Sequence, residues 1–186
     1  MKSEVAAPNH AVRQTAETYQ TAARDVWRMA GANGTLRVTV VSDSMRPLLQ
    51  SGDVAVVQPG DPKAWQPGAV IVVQRGAEWI THRLVMVDDF GWHTHGDNTR
   101  LLDEAASADQ IVGRVIAVER GARTIDLQEP RWRAIDRQIN RVQRAQLRVL
   151  AAARRIGGSQ SGRIKRGLAA LINWPFQAIV RRLIRL

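Results

Sequence analysis

The chain has no cysteine, one tyrosine, two phenylalanines and no long uninterrupted apolar run. Without cysteine there are no disulfides, no thiolate nucleophile and no cysteine-ligated zinc. No stretch reaches the roughly 18 uncharged apolar residues that a membrane-spanning helix needs. Glu4 and the polar residues through Gln20 leave no apolar centre for a secretory signal. Acid is also missing from one end. Residues 130–186 hold 14 Lys/Arg against a single acid, Asp136, while residues 1–129 hold 13 against 16. The formal charge of +10 is thus −3 before Pro130 and +13 after it, and the basicity belongs to a tail.

What is present fits one domain of ordinary size with appendages: 186 residues, 45% apolar. Asn9 can cap a first helix whose Val12, Ala16, Tyr19, Ala23, Val26 and Ala30 recur at helical spacing, ended by Gly31, Asn33 and Gly34. From Leu36 the period changes. Short β-branched runs occupy 36–41, 53–57, 69–73, 79–87 and 111–118, separated by the turn-forming groups Ser51-Gly52, Pro59-Gly60-Asp61-Pro62, Pro67-Gly68 and Gly96-Asp97-Asn98. This pattern predicts a compact antiparallel β domain with little internal helix, so the fold class is mainly β, α+β overall.

After Pro130 helical spacing returns, with Trp132, Ile135, Ile139, Val142, Val149 and Ile156 forming a stripe between arginines. A flexible hinge, 157–162, precedes a last amphipathic segment that carries Leu168, Leu171, Ile172, Phe176, Ile179 and Leu183, with Pro175 as its interruption. The expected division is an N-terminal amphipathic helix over 1–33, a β domain over 34–128 and a basic helical tail over 129–186.

The most informative stretch is 42–57, Ser-Asp-Ser-Met-Arg-Pro followed by Gly52-Asp53 and a strand. A serine just past a strand end, before a proline-limited turn, is exposed and held with little freedom. Serine is a weak nucleophile, however, and needs a base within hydrogen-bond reach. Ser44-Met45-x-Pro47 with Gly52-Asp53 resembles the nucleophile box shared by the signal peptidases and the self-cleaving SOS repressors. Thr81-His82-Arg83-Leu84-Val85 is similar to the base-bearing strand of the archaeal and endoplasmic-reticulum signal peptidases, which use histidine where the bacterial type I enzymes and the repressors use lysine. Gly96-Asp97-Asn98, with Asp103 six residues after Asp97, and Val112-Gly113-Arg114 complete the likeness. It covers about residues 38–118.

The resemblance implies a signal-peptidase-like serine endopeptidase, without cofactor, that cleaves a precursor or signal-like peptide after small residues. It assigns attack to Ser44, proton removal to His82 and orientation of the imidazole to Asp103, with Asp97 as a supporting or alternative carboxylate. The Ser44 N–H and the Ser42 hydroxyl become the expected oxyanion donors. One position departs from the pattern: His95 stands where the histidine branch has a lysine.

Other readings of these residues compete. Ser44 and Gly96-Asp97-Asn98 are ordinary turn residues when taken singly. His93 and His95, alternating on a strand beside Asp97, could reach one metal ion or be two solvent-edge histidines of a hairpin. Ala30-Gly31 is a small-residue bond that a self-cleaving relative could cut, but it lies too near Ser44 in the chain to fold back easily. If catalysis is absent, the basic tail leaves a membrane- or nucleic-acid-binding module. An anionic membrane surface is the preferred partner of residues 130–186 and nucleic acid the lesser one. The expected location is cytoplasmic or peripheral to a membrane. Relatives carry a spanning anchor ahead of the nucleophile box, where this chain has the polar segment from Asn9 to Ala30.

Overall fold

A computed structural model describes residues 34–99, 101–156, 178, 179, 182 and 184. The expected first helix, Ala30-Gly31, the 157–162 hinge and most of the last amphipathic segment lie outside the described residues.

The β-branched runs form one antiparallel sheet. Its strands are β1 (Leu36–Thr39), β2 (Val54–Gln58), β3 (Val70–Arg75), β4 (Glu78–Asp88), β5 (Gly91–His95), β6 (Ile111–Arg120) and β7 (Arg123–Asp126). The order is β1-β2-β6-β3-β4-β5, with β7 paired to β6. Helix α1 (Pro130–Ile156) follows. Proline at its first position suits the helix start, where an N–H would lack a partner. The mainly β, α+β fold is thus the one expected.

Strand β3 shows why its sequence is almost wholly apolar. It lies between β6 and β4, with hydrocarbon on both faces. Val70 and Val72 join one core with Ala55, Val57, Val112 and Val115, whereas Ile71 and Val73 join another with Leu84, Ala106 and Ile111. Burial on both faces removes the alternation that a half-exposed strand would show.

Helix α1 packs on the first of these cores. Trp132 and Ile139 are buried in it, Ile135 and Val142 lie against it, and Ile184 joins them from near the C-terminus. Val149, expected on the same stripe, is exposed. The apolar residues through Val142 therefore face the sheet. The exposed side carries Arg133, Arg137, Arg141, Arg144 and Arg148. Gly68 permits the approach, for its φ is +110° and a Cβ there would stand 3.0 Å from the Asp136 carbonyl oxygen. Among the described residues no helix is long and apolar enough to cross a membrane.

Two strands escape the sequence reading of β-branched runs. β7 holds the polar Arg-Thr-Ile-Asp and depends on pairing with β6. β5 is flanked by the returning chain, where Trp92 and Ala106 exchange backbone hydrogen bonds of 2.9 Å and the Asp103 N–H donates to the Thr94 carbonyl at 2.9 Å. That return covers β5 and accounts for the burial of His95, expected at a solvent edge but only 1% exposed.

Candidate active site

Ser44 sits in the loop between β1 and β2, and the loop is fastened at several points. Its neck is closed by Val40 N–H to Asp53 O and Gly52 N–H to Val40 O, both 2.9 Å. Met45, Leu48 and Leu49 are buried beneath it. Arg120 grips the Asp53 carboxylate through Nε at 2.9 Å and Nη2 at 2.7 Å, and Nη2 also donates to the Leu48 carbonyl. Burial pushes the Asp53 carboxyl up, but the bonds from Arg120 and the Gln50 N–H outweigh it and leave the group below its ordinary value. Asp53 in the Gly-Asp pair is thus a loop fastener.

The half-buried Ser44 presents its hydroxyl to β4. His82 Nε2 lies 3.0 Å from Ser44 Oγ, and His82 Nδ1 lies 2.5 Å from Asp103 Oδ2. Thr94 donates its hydroxyl to the same carboxylate oxygen at 2.6 Å. A carboxylate against Nδ1 favours the tautomer with the proton on Nδ1, which leaves Nε2 to accept from the serine. Burial raises the Asp103 pKa, yet the hydrogen bonds from His82 and Thr94 prevail and hold it below the usual value. Asp103 therefore favours its charged form. The Ser42 hydroxyl is 3.2 Å from Ser44 Oγ. A cleft of about 470 Å³ opens beside this group, walled by Val38, Val40, Met45, Leu49, Trp79 and Ile80.

Asp97 is turned elsewhere. Its two oxygens receive Arg83 Nε at 2.8 Å and Nη2 at 2.7 Å, and Gln143 of α1 donates to Oδ1 at 2.8 Å. Arg83 is wholly buried; its Nη1 donates to the Gly68 carbonyl at 2.6 Å and to Asp136 Oδ1 at 2.5 Å. Burial alone would lower the Arg83 pKa, but Asp97 and Asp136 raise it, so the guanidinium stays charged. Asp136 moves upward because its burial outweighs the pull of Arg83.

The Gly96–Asn98 turn joins the two groups. Its Asn98 N–H donates to the Ser44 carbonyl at 2.7 Å and the Asn98 amide to the Asp43 carbonyl at 3.2 Å. A Cβ on Gly96 would meet the Ser44 carbonyl oxygen at 2.8 Å and His82 Nε2 at 2.9 Å. Glycine is needed there to let the turn touch both residues.

The two further histidines part company. His93 Nε2 bonds the Asp88 carboxylate at 2.9 Å. Both ring nitrogens of His95 are buried without a hydrogen-bond partner. Burial lowers the His95 pKa against the opposing pull of Asp97 and Asp103. With His93 on Asp88 and Asp97 on Arg83, these residues form no ligand set, and no metal-holding cluster of His, Cys, Asp or Glu occurs among the described residues.

Residues 2–116 match the Peptidase S24-like family. The chain belongs to that family. No curated protein matches it. The Peptidase S24-like stretch includes Ser44, His82, Asp97 and Asp103 and ends before α1. Membership supports a serine-peptidase type of activity, hence a hydrolase. Thr94, Gln143 and Asp136 fall outside the Ser-His-Asp pattern of the sequence, whereas Asp97, named there as a supporting or alternative carboxylate, bonds Arg83. Asp136 alone gave a signal, as the single acid of a strongly basic segment.

Proposed function

We propose that this S24-like chain is a serine endopeptidase of the Ser–His type, akin to the histidine branch of the signal peptidases, that cleaves a precursor or signal-like peptide after a small residue. The observation that carries the reading is the 3.0 Å separation of His82 Nε2 from Ser44 Oγ while Asp103 occupies Nδ1. His82 takes the hydroxyl proton as Ser44 attacks the scissile carbonyl, and Asp103 stabilises the imidazolium that forms. The proton then passes to the departing amine, and water releases the acyl group by the same route. The Ser42 hydroxyl and the Ser44 N–H are the donors assigned to the oxyanion. The apolar cleft beside Ser44 receives the peptide.

Full-length protein is tested against a peptide library with small residues at the cleavage position, with a fluorophosphonate as probe of Ser44. Ser44→Ala and His82→Ala should each lower turnover by about 10⁴-fold or more, with the melting temperature held, because members of such a unit fail together. Turnover that survives in both variants removes the assignment. A wild-type chain that neither cleaves nor reacts leaves a non-catalytic member of the family.

A further inference from the structure

Asp136 has no part in the chemistry just described and lies beyond the stretch that matches the family. It is the only acid among residues 130–186. Yet it reaches the buried arginine next to His82. We propose that Asp136 is a positioning residue for the Ser44–His82 pair, acting through Arg83 and the Gly96–Asn98 turn. The inference rests on the peptidase reading and adds α1 to the machinery of that site.

The connection runs through contacts that leave little slack. Arg83 is 0% exposed, so water cannot replace a lost acceptor. Nε and Nη2 are committed to the two oxygens of Asp97, and Nη1 to Gly68 and Asp136. The place of the guanidinium between strand and helix is therefore set by carboxylates on both sides. Asp97 in turn fixes a turn whose backbone holds the Ser44 carbonyl and whose Asp97 N–H faces the Met45 sulfur at 3.4 Å. Gln143, two turns further along α1, holds Asp97 Oδ1 from the same helix. Movement of Arg83 toward or away from α1 carries this turn with it. Gly96 lies so near the Ser44 carbonyl and His82 Nε2 that not even a Cβ would fit between them, so a shift of the turn is passed on to their separation. Charge-assisted bonds such as Arg83–Asp136 are both shorter and stronger than neutral ones, and an amide in place of the carboxylate relaxes the pull.

The test is Asp136→Asn in the full chain, which keeps the side-chain volume and one acceptor. Turnover is compared well below the melting temperature, beside the NMR signal of the His82 ring proton shared with Asp103. Expected is a fall in kcat of about tenfold with KM nearly unchanged, as misplacement of a reacting group produces, together with a moved His82 signal. A purely structural role would lower the melting temperature and leave kcat and that signal where they were, which overturns the proposal. If the amide variant does not fold, Asp136→Ser, with room for a water, is held to the same two readouts. A wild-type chain that never turns over dismisses the peptidase reading alone. The response of the His82 signal to Asp136→Asn then still decides whether α1 positions the ring.

Discussion

His82 and Arg83 are neighbours on β4 and face opposite ways, the first against one carboxylate and the second against two. On the cleft side, His82 meets Asp103 and Ser44, with the Asp103 side chain 25% exposed. On the helix side, Arg83 meets Asp97 and Asp136 with no exposure of its own. The register explains the split: Arg83 pairs with Val70, whose face carries α1, and His82 with Ile71, which belongs to the other core. The two clusters share charge types and differ in what can change state. An imidazole beside a cleft can accept and return a proton, whereas a guanidinium shut inside two carboxylates cannot lose one. Adjacent positions on one strand thus set a group able to exchange a proton on one face and a fixed charge on the other.

The sharpest break in that comparison is expected at Asp103. With Asn there, the amide NH₂ can face His82 Nδ1 and select the tautomer that protonates Nε2, so the base no longer accepts from Ser44. Asp103→Asn should lower kcat by about 10³- to 10⁴-fold with little loss of stability, in the manner of the aspartate of a serine–histidine triad. Single-turnover hydrolysis beside thermal melting measures both. A variant that keeps activity would show that Asp103 merely neighbours the ring.

Arg83→Met tests the other face and inverts the outcome. It leaves Asp97 and Asp136 without their shared cation in a buried place, which costs about 3–5 kcal/mol for a broken buried pair. Denaturant unfolding should show the loss in full. Whatever fraction remains folded should keep its fluorophosphonate reaction at Ser44 within the range set by the displaced turn. Unchanged stability would mean that the carboxylates find other partners or protonate at little cost, and the cluster would lose its structural role.

How much of this could be read from the chain alone follows from the same division. Ser44, His82 and Asp103 stand in short segments whose residue types and spacing resemble a known pattern, and the structure brings those segments together. The runs that became β2, β3, β4 and β6 were legible because burial had filled them with β-branched residues. Strand β7 was not, since its polar residues are held by backbone pairing with β6. The place of Asp97 could not be read, because its partners Arg83 and Gln143 are 14 and 46 residues away and neither spacing is a motif. Asp136 lies 53 residues from Arg83. Its isolation among arginines marked it, but only packing shows where it points. Val149 fits the helical stripe by number and is nonetheless exposed, which spacing alone does not show.

The smallest expected effect concerns His95, which lies in register opposite Arg83 and belongs to neither cluster by hydrogen bond. Its ring is 1% exposed, and burial holds its pKa below the ordinary imidazole value despite the nearby Asp97 and Asp103. Folding therefore favours the neutral ring. As pH falls below the free-imidazole value of about 6.5, the unfolded chain takes up a proton that the folded chain refuses, and stability declines until the folded pKa is reached. Above that window the contribution is fully restored. His95→Leu removes the group that titrates, so the loss of denaturant midpoint between about pH 7.5 and about pH 5 should be smaller in the variant than in the wild type. An equal loss in both would place the acid sensitivity of this window on a group other than His95, and not on the Asp103 carboxylate. Because its pKa is depressed, its stabilisation fades only at lower pH, below the ordinary carboxyl range. Extending the titration downward separates the two. A midpoint that drops near the imidazole value in the wild type and not in His95→Leu assigns the upper step to the buried ring, and a further drop common to both assigns the lower step to the carboxylates.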